Sequence, residues 1–100
     1  MEEYSVRISL PAQIDFLDLV EHLNTMPPET ALQYYDRFIE QIETLRTKPE
    51  SCPQAKDAQL RLRGYRTLTA NDYLVLFATR GDCVEIRRVI YSKKQYEWLL

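Results

Sequence analysis

Apolar and polar positions in the first half of the chain predict a strand followed by two helices. Apolar side chains alternate with polar ones at the start, at Tyr4, Val6, Ile8 and Leu10 against Ser5, Arg7 and Ser9. A period of two is typical of a half-buried strand, and Pro11 suits the start of a helix. From Ala12 to about Thr25 the apolar residues recur at Ile14, Leu17, Val20 (or Phe16) and Leu23. This spacing predicts an amphipathic helix, whose apolar stripe normally faces the core. Pro27-Pro28 then breaks the chain.

The second helix has the clearest pattern. Its stripe steps by four, three, four and three along Ala31, Tyr35, Phe38, Ile42 and Leu45. The stripe is too short for a coiled coil and favours core packing. Lys48-Pro49 ends this helix, and residues 49–60 are predicted as a connection with a short helical turn around Ala55–Leu60.

Three strands follow, joined by short turns. They are predicted at Tyr65–Thr69, Tyr73–Thr79 and Val84–Tyr91, with turns at Asn71-Asp72 and Arg80-Gly81-Asp82. Ser92 is a candidate cap for a final short helix, Lys93–Leu100. The order β-α-α-β-β-β predicts an α+β domain over residues 1–100, an antiparallel sheet covered on one face by a helical hairpin. Alternation alone leaves open which sheet face meets water.

Composition narrows the class of protein. One hundred residues suit one domain. No apolar run approaches a membrane span, and the acidic N-terminus does not look like a signal peptide, so a cytoplasmic protein is expected. Cys52 and Cys83 lack metal-binding spacing and are expected to be free thiols. His22 is predicted to be an unremarkable helix-surface residue, and neither a metal nor a cofactor is expected.

Charge is divided unevenly along the chain. Residues 1–50 carry four Lys and Arg against ten Asp and Glu, a net −6, while residues 51–100 carry nine against five, a net +4. Either the second half presents a basic face to an acidic partner, or the two halves attract each other.

The ordered motifs resemble the RelE/ParE family of bacterial toxin–antitoxin toxins. The resemblance runs from an opening VRIS strand through IETLRTKPESCP and is strongest in GYRTLTANDYLVLFATRGDCVEIRRVIYSKKQYEWLL. The last stretch is most similar to the ParE-like branch. The resemblance implies the fold predicted above, a cognate antitoxin that holds the toxin inactive in a hetero-oligomer, and one of two activities. RelE-type members cut messenger RNA in the ribosome, and ParE-type members poison DNA gyrase.

One position departs from the ribonuclease branch. Where that branch has an arginine that stabilises the scissile phosphate, this sequence has Leu74. The resemblance places Arg66, Tyr91 and Lys94 at or near the remaining nuclease positions, and Arg87 or Arg88 of the neighbouring strand is the candidate replacement for the missing arginine, so the set is incomplete. RNA cleavage needs a base, an acid and a cation on the developing charge. Whether the chain is an enzyme is left open, and the missing arginine argues against it.

Several basic residues are candidate contacts to a partner or to nucleic acid, namely Arg61, Arg63, Arg66, Arg87, Lys93 and Lys94. The three arginines of residues 61–66 form either a phosphate-contacting rim or salt bridges to the acidic helices. Arg87 and Tyr91, four apart in one strand, are predicted to face the same way. Arg88, on the opposite side, is predicted to pair with Asp15, Asp18 or Glu21.

Three functions therefore follow as hypotheses. The favoured one is a toxin that binds an essential target, DNA gyrase, and is neutralised by an antitoxin. The alternatives are a ribosome-dependent mRNA endoribonuclease and a non-toxic interaction protein of the same fold. The acidic isoelectric point of about 5.4 weakens the ribosomal alternative.

Overall fold

A computed structural model describes residues 3–92 and contains the predicted order of elements. The strands and helices are β1 (Ser5–Ile8), α1 (Leu10–Leu23), α2 (Pro28–Glu43), α3 (Ala58–Leu62), β2 (Tyr65–Ala70), β3 (Tyr73–Arg80) and β4 (Cys83–Tyr91). The predicted α+β class is confirmed. The predicted C-terminal helix, Lys93–Leu100, lies outside the described residues.

The four strands form one mixed sheet in the order β1-β4-β3-β2. The pairs β2–β3 and β3–β4 are antiparallel as predicted, but β1 pairs with β4 in parallel, with Val6 opposite Val84. The sheet is therefore not wholly antiparallel, because the helices and the meander bring β4 beside β1 in the same direction. Asn71 (φ 53°) and Gly81 (φ 64°) take the left-handed conformation that the two hairpin turns require.

The first helix begins where β1 stops. The Ser9 hydroxyl accepts a hydrogen bond from the Ala12 N–H at 3.3 Å and caps α1. Pro11 occupies its first turn, where a missing N–H costs nothing. The strand consequently has 4 residues where the alternation extended from Tyr4 to Leu10, since Ser9 and Leu10 belong to the helix start and Tyr4 precedes the strand.

The predicted apolar stripe of α1 is only partly correct, because Phe16 and Leu23 pack against the core but its other members do not. The residues buried against the sheet are Ala12, Asp15 and Leu19, while Ile14, Leu17 and Val20 are 58%, 62% and 51% exposed. Helix α1 has apolar residues on both sides, so periodicity alone could not select the buried one. In α2 the predicted stripe holds better, because Phe38 and Ile42 are buried, although Tyr35 is 43% exposed.

The main core lies between the helices and one face of the sheet. It includes Leu19, Phe38, Leu45, Tyr73, Val75, Phe77, Val84, Ile86 and Val89. A second, smaller cluster lies on the opposite sheet face and contains Ala55, Tyr65, Leu76 and Ala78, with Leu60 of α3 packed against it. The two faces are therefore unequal, since the helix-side face carries most of the apolar burial.

The outer edge of β2 is covered by the connection before it. Ala55 N–H donates to the Tyr65 carbonyl, and Thr67 N–H donates to the Pro53 carbonyl, each at 3.0 Å. Gln54 forms a bridge with Arg66 in the same stretch. The first half of this edge is thus occupied, which prevents pairing with another chain at residues 65–67. The predicted helical turn is α3, shifted to Ala58–Leu62 and capped by the Asp57 carboxylate.

Strand β4 contains an irregularity that decides which way its basic residues point. Leu76 is opposite Arg88 and Phe77 is opposite Ile86, so Arg87 is an extra residue in β4. Such a bulge changes the alternation of side chains along the strand. Arg87 lies on the face of the smaller cluster and Tyr91 on the helix side. The prediction that they face the same way is therefore wrong.

The same irregularity is anchored by a buried carboxylate. Asp15 of α1, 7% exposed, accepts hydrogen bonds from Arg88 Nε at 2.8 Å and from Arg88 Nη2 at 3.1 Å. The Val89 N–H also donates to Asp15 at 2.8 Å, beyond the end of the β1–β4 pairing. This confirms the predicted pairing of Arg88 with an acid of the first helix. The hydrogen bonds of Asp15 fix the rotation of α1 about its own axis relative to the sheet.

Candidate partner-binding face

Three arginines project from the sheet face that the long helices leave uncovered. The register places Arg7 beside Glu85, Glu85 beside Ala78, and Ala78 beside Tyr65, in one row across all four strands. Arg80 and Arg87 lie on the same face. We call Arg7, Tyr65, Arg80, Glu85 and Arg87 the arginine face.

Tyr65 orients two of these arginines. The guanidinium carbons of Arg80 and Arg87 lie 5.4 Å and 5.8 Å from the centre of its ring, which is a cation–π geometry. Tyr65 itself is only 7% exposed, so it is a fixed support. Arg80 also donates from Nη1 to the Arg63 carbonyl at 3.2 Å. Both guanidinium groups are therefore positioned before any partner binds.

The arginine face has an excess of positive charge. Its three arginines are exposed, and Glu85 is the one carboxylate in the set, half-buried between Arg7 and Ala78. Within residues 3–92, no carboxylate lies within salt-bridge distance of Arg7, Arg80 or Arg87. An exposed arginine without a salt bridge can bind a carboxylate or a phosphate through two parallel hydrogen bonds. The face can thus bind an anionic partner.

The arginines of residues 61–66 have a different environment from those of the arginine face. Arg61 Nη1 donates to the carbonyls of Ala55 and Lys56 at 3.1 Å and 2.9 Å, and Arg66 Nη1 donates to the Cys52 carbonyl at 2.6 Å. They hold the connection that covers the β2 edge, and neither is in a salt bridge to the acidic helices. Arg63 is exposed beside the arginine face, where its carbonyl binds Arg80. Lys93 and Lys94 lie outside the described residues.

Tyr91 belongs to a ring cluster on the helix side. Its ring centre is 5.4 Å from that of His22 and 5.5 Å from that of Tyr73, and His22 also contacts Tyr34 at 5.6 Å. His22 is half-buried here, so the prediction of an ordinary surface histidine is wrong. Burial is the main reason that the pKa values of Tyr34 and Tyr73 are raised to about 12.

A hydrogen-bond network ties this cluster to the β2–β3 turn. Tyr34 donates its hydroxyl proton to Asp72 at 3.0 Å, which further raises the tyrosine pKa. The Asn71 side chain donates to the Tyr34 carbonyl at 2.8 Å, and the Asn71 N–H donates to Gln41 at 2.9 Å. These bonds fix α2 on the turn. We interpret the network as structural support.

The three candidate nuclease residues that the structure describes are not brought together. Arg87 is on the arginine face, Tyr91 is on the helix side, and Arg66 is bonded to a backbone carbonyl at the β2 edge. Sequence reasoning missed Arg7, Tyr65 and Arg80. Strand pairing could have found them, because a β2–β3 hairpin in this register puts Tyr65 opposite Ala78, two residues before Arg80 and on its face.

The cysteines of the described residues do not form a metal site. Both cysteines are free, as predicted, with Cys52 buried and Cys83 half-buried. Burial raises the pKa of the Cys52 thiol and makes it less reactive. Within residues 3–92 no group of three or more His, Cys, Asp or Glu could hold a metal ion, and no helix there could span a membrane.

Comparison with known proteins finds a family that the chain matches. The chain matches, over residues 6–96, a family described as the ParE toxin of the type II toxin–antitoxin system parDE. It also resembles a solved structure of the chromosomal ParDE toxin–antitoxin system from P. aeruginosa. The TM-score is 0.70 at 22% identity, over 90% of this chain and 97% of that one. At that identity the likeness shows the fold. No curated protein matches the sequence.

Proposed function

The chain belongs to the ParE toxin family of type II toxin–antitoxin systems, and from this premise we propose how it acts. It arrests bacterial growth by binding an essential target, DNA gyrase, and cuts no RNA itself. A cognate antitoxin binds it in a hetero-oligomer and neutralises it. The setting for these contacts is the bacterial cytoplasm.

The separation of the candidate nuclease residues carries the proposal. A ribonuclease must hold a base, an acid and a cation around one phosphate. Here Arg87 and Tyr91 lie on opposite faces of the sheet, and Arg66 is committed to the Cys52 carbonyl. Leu74, where the nuclease branch has its phosphate arginine, pairs with Thr69 and Ile90 and is half-buried. This arrangement supports binding in place of cleavage.

The arginine face supports an acidic partner surface. Its guanidinium groups are exposed and held by Tyr65, so little side-chain freedom is lost when a carboxylate or phosphate docks. Complementary charge speeds encounter and selects the partner. We therefore place the target contact at Arg7, Arg80 and Arg87, with Arg63, Lys93 and Lys94 as further proposed contacts. Arg61 and Arg66 act by holding the neighbouring connection.

Growth arrest and RNA cleavage test the proposal together. Expression of the chain without a partner should stop bacterial growth, and purified protein should leave messenger RNA on programmed ribosomes intact in a toeprinting assay. Specific cuts that disappear in Tyr91→Phe or Arg66→Ala would establish the endoribonuclease instead. Normal growth with verified folded protein would leave the non-toxic interaction protein.

Charge substitution tests the binding face. Replacing Arg80 and Arg87 with glutamine should relieve growth arrest without unfolding the chain, because both guanidinium groups are exposed. Arg37→Gln is the matched control, since Arg37 is an exposed arginine on α2. It should leave toxicity unchanged. Equal toxicity of all three proteins would remove the arginine face from the proposal.

A further inference from the structure

The arginine face presents its cations at two places across the sheet. The guanidinium carbons of Arg80 and Arg87 lie at the same aromatic ring, 5.4 Å and 5.8 Å from the ring centre of Tyr65. Arg7 is on the edge strand β1, and β4 and β3 separate it from Tyr65 on β2. Three strand spacings put about 14 Å between the backbone positions of Arg7 and Tyr65. The face therefore offers a pair of cations and a third cation set apart from them.

This face lacks the apolar anchors on which a protein interface depends. Contacts between proteins are dominated by aromatic and apolar side chains that become buried at the centre of the interface. Tyr65 is only 7% exposed, and the other members of the arginine face are charged. Among residues 3–92 the exposed large apolar side chains all lie outside this set, most of them on α1 and α2. A cationic surface of this kind is typical of an interface with DNA, which is more polar and more positively charged.

The acidic residues of the chain do not oppose an anion at this face. Helices α1 and α2 carry seven of the 15 Asp and Glu residues, and they cover the other side of the sheet. Charges more than about 8–10 Å apart are largely screened at physiological salt. Glu85 is the one carboxylate of the arginine face, against three arginines. The local charge of the face is therefore positive although the whole chain has a net charge of −2.

Duplex DNA supplies anions at the spacing that these arginines require. Its axis carries a negative charge about every 1.7 Å, so several phosphates lie within the span of the row. Each guanidinium can bind a phosphate through two parallel hydrogen bonds, and such contacts need no particular base sequence. We propose that Arg7, Arg80 and Arg87 bind the phosphate backbone of duplex DNA. This inference rests on the proposed function, because a toxin bound to gyrase lies next to the DNA that the enzyme cuts.

Fluorescence anisotropy with the full chain measures the DNA contact without gyrase. The probe is a short labelled DNA duplex of mixed sequence, and the comparison probes are a single-stranded RNA of the same length and a polyglutamate peptide. The duplex should bind at least roughly tenfold more tightly than the peptide. It should also bind more tightly than the RNA, because the charge density of a duplex is higher.

The salt dependence of binding counts the phosphates that the face contacts. Each contact adds about 0.9 to the slope of log affinity against log salt. The double variant Arg80→Gln, Arg87→Gln should therefore have a slope smaller by about 1.8. Raising salt from about 50 to about 200 mM should then weaken the wild type roughly twelvefold more than this variant. Arg37→Gln, an exposed arginine of α2, is the matched control and should keep the wild-type slope.

Two further variants separate loss of contact from loss of fold. If the double variant melts early, Arg7→Gln replaces it, since Arg7 is exposed on the edge strand, and its slope should be smaller by about 0.9. Glu85→Gln removes the one carboxylate of the face and should tighten duplex binding roughly twofold. Damage to the fold cannot produce such a gain.

Several results would overturn the DNA contact. One is a wild-type slope in both the double variant and Arg7→Gln. Tighter binding of polyglutamate than of the duplex would assign the face to an acidic protein, and tighter binding of the RNA would assign it to single-stranded RNA. Because the titration contains no gyrase, its failure leaves gyrase as the proposed target. A failure to trap gyrase on DNA would instead remove the target and leave the measured DNA contact standing.

Discussion

Removal of the Asp15 carboxylate should destabilise the protein more than any surface substitution. Asp15 accepts hydrogen bonds from Arg88 Nε, Arg88 Nη2 and the Val89 N–H, all within 3.1 Å. In Asp15→Ala the guanidinium and the N–H lose their acceptor together. The hydrogen bond and the nearby carboxylate also raise the pKa of Arg88, so this group stays charged.

The expected loss in the free energy of unfolding follows from the burial of the Asp15–Arg88 ion pair. Breaking a buried ion pair by removing one partner costs about 3–5 kcal/mol. The Arg88 side chain is 23% exposed, so water compensates part of the loss and the lower end applies, about 3 kcal/mol. For a chain of this length that corresponds to a fall in melting temperature of roughly 12–24 °C. Asp15→Asn should lose about 1 kcal/mol less, because its side-chain oxygen still accepts the Val89 N–H.

Urea denaturation followed by circular dichroism measures these changes. A double-mutant cycle with Arg88→Ala should give a coupling free energy above about 1 kcal/mol, since the two side chains act as one unit. Asp36→Ala, at an exposed position of α2, is the control and should stay within about 0.5 kcal/mol of wild type. Additive effects of Asp15→Ala and Arg88→Ala would refute the assignment of this pair as the anchor of α1.

Three further substitutions or conditions test other parts of the structure. Gly81→Ala should cost about 1 kcal/mol in urea denaturation, because φ is 64° and an added Cβ meets no clash that would cost more; an unchanged midpoint would contradict the turn geometry. Tyr34 and Tyr73 have pKa values of about 12 against an ordinary 10.0, so their contribution to stability is complete below pH 10 and is lost as pH rises toward 12. The urea denaturation midpoints of the wild type and of Tyr34→Phe should therefore converge as pH rises toward 12. Midpoints that stay equally far apart would contradict this contribution of Tyr34. Arg87→Gln should change stability by no more than about 1 kcal/mol, the worth of one exposed cation–π contact, and a larger loss by thermal melting would make Arg87 a structural residue.

The order of elements was predictable because local signals agree with it. Proline and glycine positions, the α2 stripe and the period of two in the first strand all point to the same α+β layout. The pairing of Arg88 with an acid of α1 was also predictable, although the sequence did not select Asp15 over Asp18 or Glu21, since a half-buried cation needs an acid. These features depend on residues close in sequence or on charge alone.

Other features depend on tertiary contacts that periodicity does not contain. Helix α1 has apolar residues on two sides, and tertiary contacts, including that of Asp15 with β4, select the buried one. The extra residue Arg87 reverses the alternation of β4, so the facing of Tyr91 could not follow from counting. The pairing of β1 with β4 joins residues more than 70 positions apart, such as Val6 and Val84.

DNA cleavage by gyrase tests the central proposal most directly. Purified gyrase, ATP and supercoiled plasmid are incubated with the wild-type chain, with the Arg80→Gln, Arg87→Gln variant or with Arg37→Gln, and protein-linked breaks are trapped with detergent. Wild type and Arg37→Gln should convert plasmid to linear DNA that carries covalently bound gyrase, and the arginine-face variant should convert much less. Plasmid left intact by a wild-type protein that arrests growth would contradict the account, because the essential target would then not be gyrase.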